Sequence, residues 1–206
     1  MCIKMSENFD CLAKILTIGD SGVGKSCILE RFERGSFRAT HVPTIAIDFA
    51  FKTVEIGGRR LRMQLWDTAG QERFNTLTAS FFKATHGVLL CFSLSDRASF
   101  VGTARWIQQV RSLAPKEVVV VLVGNKTDLE DERQVSRKEA EDLAKEMDVE
   151  YFETSAFTGQ GIDEAFNYVA KRTLSMLDSL RKETGVSQLN NMIDEDKKTK
   201  AKCCRK

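Results

Sequence analysis

GDSGVGKS (Gly19–Ser26) is a stretch whose residue types and spacing can do chemistry. It fits G-x-x-x-x-G-K-[ST], follows an apolar run and opens a helical pattern, the context a phosphate cradle requires. Its glycines let the backbone wrap closely around a phosphate, and successive N–H groups at a helix N-terminus point inward as an anion nest. Lys25 would reach the β and γ phosphates, and the Ser26 hydroxyl would bind Mg²⁺. The bland alternative is a glycine-rich turn that holds nothing; the strand–helix context argues against it. The motif specifies a nucleotide and leaves the base open.

The base is addressed by NKTD (Asn125–Asp128), which follows the apolar run VVVVLVG, at the strand end where open α/β sheets bind ligands. Asp128 can accept from the ring N–H and the exocyclic amine of guanine together. Adenine has no such donor pair, and a buried carboxylate left unpaired is costly, so discrimination would be large. Alone, NKTD suits a loop with an Asx turn equally well. Behind a phosphate loop it points to guanine.

These residues need elements to position them. LAKILTI (Leu12–Ile18) reads as a strand, and KSCILERFER (Lys25–Arg34) has Ile28, Leu29 and Phe32 at helical spacing. IDFAFKTVEI, Gly57-Gly58 and RRLRMQLW form a strand–turn–strand, because a Gly-Gly pair suits the primed hairpin turns. GVLLCFSL (Gly87–Leu94) and VVVVLVG (Val118–Gly124) are continuous apolar runs, as in strands buried on both faces of a mainly parallel sheet. SFVGTARWIQQVRSL is helical, with Phe100, Ala104, Ile107 and Val110 or Arg111 expected on its inner face. SRKEAEDLAKEM opens with Ser136 and Glu139, a capping-box pair, and VEYFETS is a short strand. GIDEAFNYVAKRTLSMLDSLRK closes the pattern, with Phe166, Val169, Leu174 and Leu177 facing inward. Strands alternating with helices predict an α/β layered fold with right-handed crossovers. After about Glu183 the sequence is polar and aperiodic.

Composition bounds the rest. A chain of 206 residues suits one core plus a tail, and a net charge of +2 gives no reason to expect nucleic acid as a partner. From Asp194 to Lys206, six basic residues face three acidic ones, so the end is locally basic. Cysteines stand at positions 2, 11, 27, 91, 203 and 204, without metal-ligand spacing, which reads as free thiols in a reducing compartment. The N-terminus lacks the apolar stretch of a secretory signal, and Cys at position 2 excludes N-myristoylation. A soluble cytosolic domain is the default expectation.

GDSGVGKS, WDTAGQERF (Trp66–Phe74), GNKTDL (Gly124–Leu129) and ETSA (Glu153–Ala156) together resemble the Ras superfamily of small GTPases, and within it the Rab family. IAIDF (Ile45–Phe49), KTVEI (Lys52–Ile56) and the double-cysteine end carry the Rab likeness, which covers roughly residues 10–180. The resemblance implies a P-loop small GTPase fold: a six-stranded, mostly parallel sheet with one antiparallel strand, flanked by about five helices. It implies a short extension over 1–10, a GTPase domain over 11–182 and a flexible tail over 183–206. It also implies a monomeric switch of membrane trafficking that binds GDP and GTP with Mg²⁺, hydrolyses GTP slowly and recruits effectors in the GTP state.

Residue by residue, the resemblance places Ser21, Gly22, Val23, Gly24, Lys25, Ser26 and Cys27 around the phosphates. Asn125, Lys126 and Asp128 with Ser155, Ala156 and Phe157 fall at the base. Phe37 matches the aromatic that packs against the base, although a phenylalanine ending a helix can also be core. Asp67, after an apolar strand, is placed to hold Mg²⁺ through water; Thr44 resembles the threonine that ligands Mg²⁺ only when the γ-phosphate is present. Gly70 can bring its backbone N–H to the γ-phosphate because no side chain intervenes, and Gln71 resembles the glutamine that orients the attacking water. Release of the loops at Thr44 and Gly70 on hydrolysis would be the output that partners read.

The chain departs from the family pattern at three points. Ala46 replaces a glycine usual after Thr-Ile, and FFKATHG (Phe81–Gly87) replaces a YYRGA-like run. Phe157 replaces the lysine that covers one face of the guanine; an aromatic there can stack instead, so guanine binding with an altered exchange rate is expected. Two other readings compete. A metabolic phosphate-loop kinase lacks support because no arginine-rich lid appears and NKTD selects guanine. A silent pseudo-GTPase is opposed by the presence of Lys25, Ser26, Thr44, Asp67 and Gln71.

The chain ends in AKCCRK, which fits C-a-a-X poorly, since Arg205 stands where an aliphatic belongs. On pattern alone, reactive thiols or a weak metal clamp remain open for Cys203 and Cys204. The resemblance implies geranylgeranyl groups on both, anchoring the protein on the cytoplasmic face of an endomembrane compartment and cycling with a cytosolic pool. It further implies an exchange factor, a GTPase-activating protein, effectors, a Rab escort protein and a dissociation inhibitor as partners.

Overall fold

The computed structural model describes residues 9–37, 48–68 and 81–183. Thr44, Ala46, Gly70, Gln71, Cys203 and Cys204 lie outside the described residues, as does the expected tail beyond Glu183. The chain divides into two compact units, Met1–Thr173 and Leu174–Lys206, with the boundary inside the last helix.

In chain order the elements are β1 (Cys11–Ile18), α1 (Lys25–Arg34), β2 (Asp48–Ile56), β3 (Arg59–Asp67), β4 (Gly87–Ser93), α2 (Arg97–Leu113), β5 (Val119–Asn125), a 3₁₀ turn (Glu130–Glu132), α3 (Arg137–Glu146), β6 (Glu150–Thr154) and α4 (Ile162–Glu183). The six strands form one sheet in the order β2-β3-β1-β4-β5-β6. All neighbouring pairs are parallel except β2 with β3. That exception is the Gly57-Gly58 hairpin: φ is 59° at Gly57 and 75° at Gly58, the pair of positive values a type I′ turn demands.

Every residue of β4 is buried, as its unbroken apolar run predicts for a central strand covered on both faces. Val88, Leu90 and Phe92 alternate onto one face and join a cluster with Phe100, Ile107 and Val110 of α2 and with Ala140 and Ala144 of α3. On the other face α1 meets α4 through Phe32 and Phe166, whose rings stack at 3.8 Å between centroids. Helix starts follow local chemistry. Asp96 accepts from the N–H groups of Ala98 and Ser99, and Ser136 with Glu139 closes the expected capping box.

Among the described residues four α-helices lie whole, and Phe81–Phe82 are helical where a further segment enters from outside them, in keeping with the about five expected. One expectation needs correcting. The inner face of α2 is Phe100, Thr103, Trp106, Ile107 and Val110, while Ala104 and Arg111 are exposed. Thr103 can turn inward because its hydroxyl donates to Phe100 O at 2.6 Å, and Trp106 because its indole N–H donates to Asp20 Oδ1 at 2.8 Å. A rule that counts only apolar spacing passes over both.

The parallel register matters most for function. Thr17 of β1 lies opposite Asp67, and Asn125 lies between Ser93 and Thr154. The strand ends that lead into GDSGVGKS, WDTAG, NKTD and ETSA therefore share one edge of the sheet. This register depends on close packing at Gly87, where a Cβ would stand 2.6 Å from Val169 Cγ1 and 2.8 Å from Ile15 Cδ1. Ile15 can rotate its terminal methyl away, but the β-branched Val169 is stiff. Gly87→Ala should lower stability by about 1–3 kcal/mol, read from the urea midpoint at unchanged m-value.

Candidate nucleotide-binding site

The phosphate loop is shaped by what surrounds its glycines. A Cβ on Gly19 would meet Cys91 O at 2.0 Å, and one on Gly24 would meet Asn125 Nδ2 at 2.4 Å. Gly24 caps α1 at a φ of 97°, so only glycine suits both the conformation and the space. Ser21 and Gly22 are exposed on the rim, while Val23 is fully buried. Lys25, just inside the helix, is buried, and its ammonium donates to Gly19 O at 2.9 Å and Asp20 O at 2.8 Å.

Burial lowers the pKa of Lys25, and the carboxylates of Asp67 and Asp20 oppose that shift. Cys91 beside it is fully buried and its pKa is raised by that burial to about 12, so it stands as a neutral thiol. The half-buried Cys27 is likewise pushed up, first by burial and then by Glu30 and Asp67. Asp20 itself is turned onto α2. Arg105 Nη2 and Trp106 Nε1 both donate to its Oδ1 at 2.8 Å, and Gly102 leaves room where a Cβ would stand 2.5 Å from Oδ2. A carboxylate in a phosphate loop would repel its ligand; here its charge is neutralised by the ion pair with Arg105.

Next to Lys25, Ser26 Oγ donates to Asp67 Oδ2 at 2.5 Å. A hydroxyl and a carboxylate at that separation are two hard oxygen donors of the kind Mg²⁺ takes when phosphates supply further ligands. The residues present therefore fit a magnesium ion.

The base side is built around Asn125, almost wholly buried at the end of β5. Its Nδ2 donates to Val23 O at 2.9 Å, and its Oδ1 accepts from Thr154 Oγ1 and Ala156 N, each at 3.2 Å. Asn125 thus joins the phosphate loop to the ETSA loop, which its placement among the base contacts did not anticipate. Lys126 adopts a φ of 71°, turning the chain so that Asp128 accepts from Ser155 Oγ at 2.5 Å. Behind this pair Arg133 and Glu153 form an ion pair, and Tyr151 donates to Glu153 at 3.1 Å. Phe157, 60% exposed, meets Phe37 edge to face with centroids 5.4 Å apart.

Of the expected site residues within the described segments, the fold brings Lys25, Ser26 and Asp67 together at one end. Asn125, Asp128, Ser155, Ala156, Phe157 and Phe37 gather at the other. The sequence reading missed Asp20 with its α2 partners and Arg31, which donates to Ala156 O at 2.9 Å. Asp20 had a legible signal, being a carboxylate inside a phosphate-binding motif that needed a donor. Arg31 had none, because two of its three acceptors, Ala156 O and Phe157 O, are backbone carbonyls more than a hundred residues away. Flanking the site, Phe49, Trp66 and Phe81 form a row with centroid spacings of 5.3 and 5.5 Å, and Phe49 is 50% exposed.

A glycine-rich loop with a buried lysine, a hydroxyl–carboxylate pair and a carboxylate held by Ser155, all at one end of the strands, are the arrangement of a phosphate-loop nucleotide protein. The Ras family model matches residues 14–175. The chain is 41% identical over 199 residues to GTP-binding protein ypt2 of Schizosaccharomyces pombe, covering 97% of this chain and 99% of that protein. It is 41% identical over 202 residues to Ras-related protein Rab-13 of Rattus norvegicus, with 97% and 98% covered. With Ras-related protein Rab-10 of Caenorhabditis elegans the identity is 38% over 196 residues, with 95% and 98% covered. The chain belongs to the Ras family, as a Rab-type small GTPase. It is a GTP-hydrolysing molecular switch of vesicle trafficking whose nucleotides are GTP and GDP.

The place of Asn125 can be tested. Asn125→Ala leaves Val23 O and Ala156 N without their buried partner, so it should cost about 3 kcal/mol of stability by urea unfolding. A change under about 0.5 kcal/mol, the range of a surface substitution, would show that the three loops hold without it.

Proposed function

We propose that the nucleotide lies along the sheet edge with its phosphates on residues 21–27 and its base between Asp128 and the 155–157 loop. The observation that carries this reading is the convergence of Lys25 and the Ser26–Asp67 pair at one end with the Asp128–Ser155 pair at the other. Lys25 draws the β and γ phosphates, and the loop N–H groups hold their oxygens. Ser26, Asp67 and Thr44 would hold Mg²⁺, which when bound neutralises charge on the phosphate oxygens. Gln71 orients the attacking water, and Gly70 N–H receives the γ-phosphate. Asp128, oriented by Ser155, accepts from guanine, while Phe37 and Phe157 flank the base.

The GTPase domain then spans 11–182 and the tail 183–206. Thr44 and Gly70 sit in the two segments that change between the GTP and GDP states, and effectors read those segments beside the Phe49–Trp66–Phe81 row. An exchange factor loads GTP, and an activating protein supplies the arginine that no motif places in cis, raising a slow rate by about 10³–10⁵. Cys203 and Cys204 each take a geranylgeranyl group, delivered by an escort protein and shielded by a dissociation inhibitor. Two chains make the anchor stable where one is marginal, and each nearby lysine adds about 1 kcal/mol at an anionic leaflet. Beyond Glu183 the tail lies outside the described residues, and among the described residues no helix is long and apolar enough to cross a membrane.

Fluorescent GDP and ADP titrations followed by single-turnover GTP hydrolysis test the site. GDP should bind selectively, and Gln71→Leu should lose about 10²–10⁴-fold of the activated rate. ADP binding, or an unchanged Gln71→Leu rate, would overturn the assignment. For the anchor, intact mass after expression in a eukaryotic host should show two prenyl additions that vanish in Cys203→Ser/Cys204→Ser. Unmodified thiols would refute it.

A further inference from the structure

Arg31 lies outside the functional motifs, on the last turn of α1, yet its guanidinium joins two distant parts of the chain. Nε donates to Ala156 O at 2.9 Å, Nη1 to Gly35 O at 3.0 Å, and Nη2 to Phe157 O. Its stem runs past Gly159, where a Cβ would stand 3.7 Å from Cδ. Gly35 turns the chain off α1 in the left-handed conformation, and two residues later the Phe37 ring meets Phe157 at 87°. These contacts close a circuit. The guanidinium holds the Phe157 carbonyl, the Phe157 ring touches Phe37, and Phe37 returns through Ser36 to Gly35, whose carbonyl the same guanidinium holds.

Neither ring belongs to the core: Phe157 is 60% exposed and Phe37 half-buried. They stand next to Ser155, which holds Asp128. Planar apolar surface beside a carboxylate is the chemistry that receives a purine edge carrying donors. A rigid guanidinium fork can satisfy three carbonyls at once with little loss of side-chain entropy, which a lysine cannot.

We infer that Arg31 is a positioning residue for the base: it locks the 155–157 loop to the exit of α1, so that Phe37 and Phe157 form a two-walled seat and set how long the nucleotide stays bound. This rests on the nucleotide reading proposed above and adds a determinant of residence time to it. Because the seat carries no charge, its hold on the base responds little to salt, unlike the hold of the phosphate loop.

The test uses the full chain, fluorescent GDP and inorganic tripolyphosphate with Mg²⁺, a probe with phosphates and no base. Arg31→Lys should speed GDP release about tenfold, the weight of roughly one net hydrogen bond, while competition by tripolyphosphate stays where it was. Phe157→Leu should act in the same direction, and the double variant should fall short of the product of the two, as contacting residues do. Thermal melts confirm that each variant is folded. Equal weakening for both probes would make Arg31 a support of the fold alone and overturn the inference, as would unchanged GDP release or a fully multiplicative double variant. GDP release unmoved by Asp128→Ala is a different result: it would bring down the site assignment itself, and this inference with it.

Discussion

A carboxamide offers one acceptor oxygen and two N–H donors, and at Asn125 the oxygen and one N–H reach three backbone or side-chain groups from two other loops. The rest of the site depends on that junction. Val23 belongs to the glycine-rich loop proposed to wrap the phosphates, and Thr154 and Ala156 lead into the loop proposed to meet the base. Asn125 can reach both because β5 sits between β4 and β6 in register, so that all three strands end together. It also explains why the loop must be bare at Gly24, since a side chain there would occupy the amide's own position. Burying so polar a group is tolerable only when its hydrogen bonds are made, which turns a thermodynamic liability into a specifier of loop geometry.

Around this junction the charged groups are sorted by element. Asp67 arrives at the end of β3 and reaches Ser26; Asp20, one residue into the phosphate loop, is drawn the other way by Arg105 and Trp106 of α2. Two carboxylates near one anion site would weaken it. Pairing one with a serine hydroxyl and the other with an arginine leaves the buried Lys25 as the cation at the end proposed for the phosphates. Helix α2 thus contributes to the site without contributing a motif.

The sequence carried most of the fold because its strands are nearly unbroken apolar runs and its turns carry glycines where positive φ is needed; β2, the Gly57-Gly58 turn and β3 are legible residue by residue. It failed where polar residues are buried with partners of their own, as at Thr103 and Trp106, because periodicity counts side-chain type and not hydrogen bonding. Motif spacing likewise pointed to residues that the fold brings together, Lys25 with Ser26 and Asp67, and Asp128 with Ser155. It gave no sign that Asn125 also ties two loops to each other. Long-range contacts to backbone carbonyls, such as those of Arg31, leave no trace in local sequence at all. They are fixed only when the parallel register has brought α1 and the β6 loop to the same edge.

The phosphate end shows how the fold and its ligand are linked. Folding places the Lys25 ammonium where burial lowers its pKa, so the unfolded chain holds that proton more tightly than the native one. At neutral pH the charged lysine is therefore a cost to the native state, one that would fall away only as pH rises toward the ordinary lysine value, where neither state holds the proton. Asp67 and Asp20 offset part of it, but Asp20 is already paired with Arg105 and Asp67 with Ser26. At the proposed site a phosphate group would bring negative charge directly to the ammonium, raising the pKa back toward the ordinary lysine value and offsetting that cost. Nucleotide binding there would then stabilise the folded domain by mass action. A lysine that stayed solvated would bind phosphate without this coupling. Burial of Lys25 against the Gly19 and Asp20 carbonyls is what would couple the proposed phosphate site to the fold.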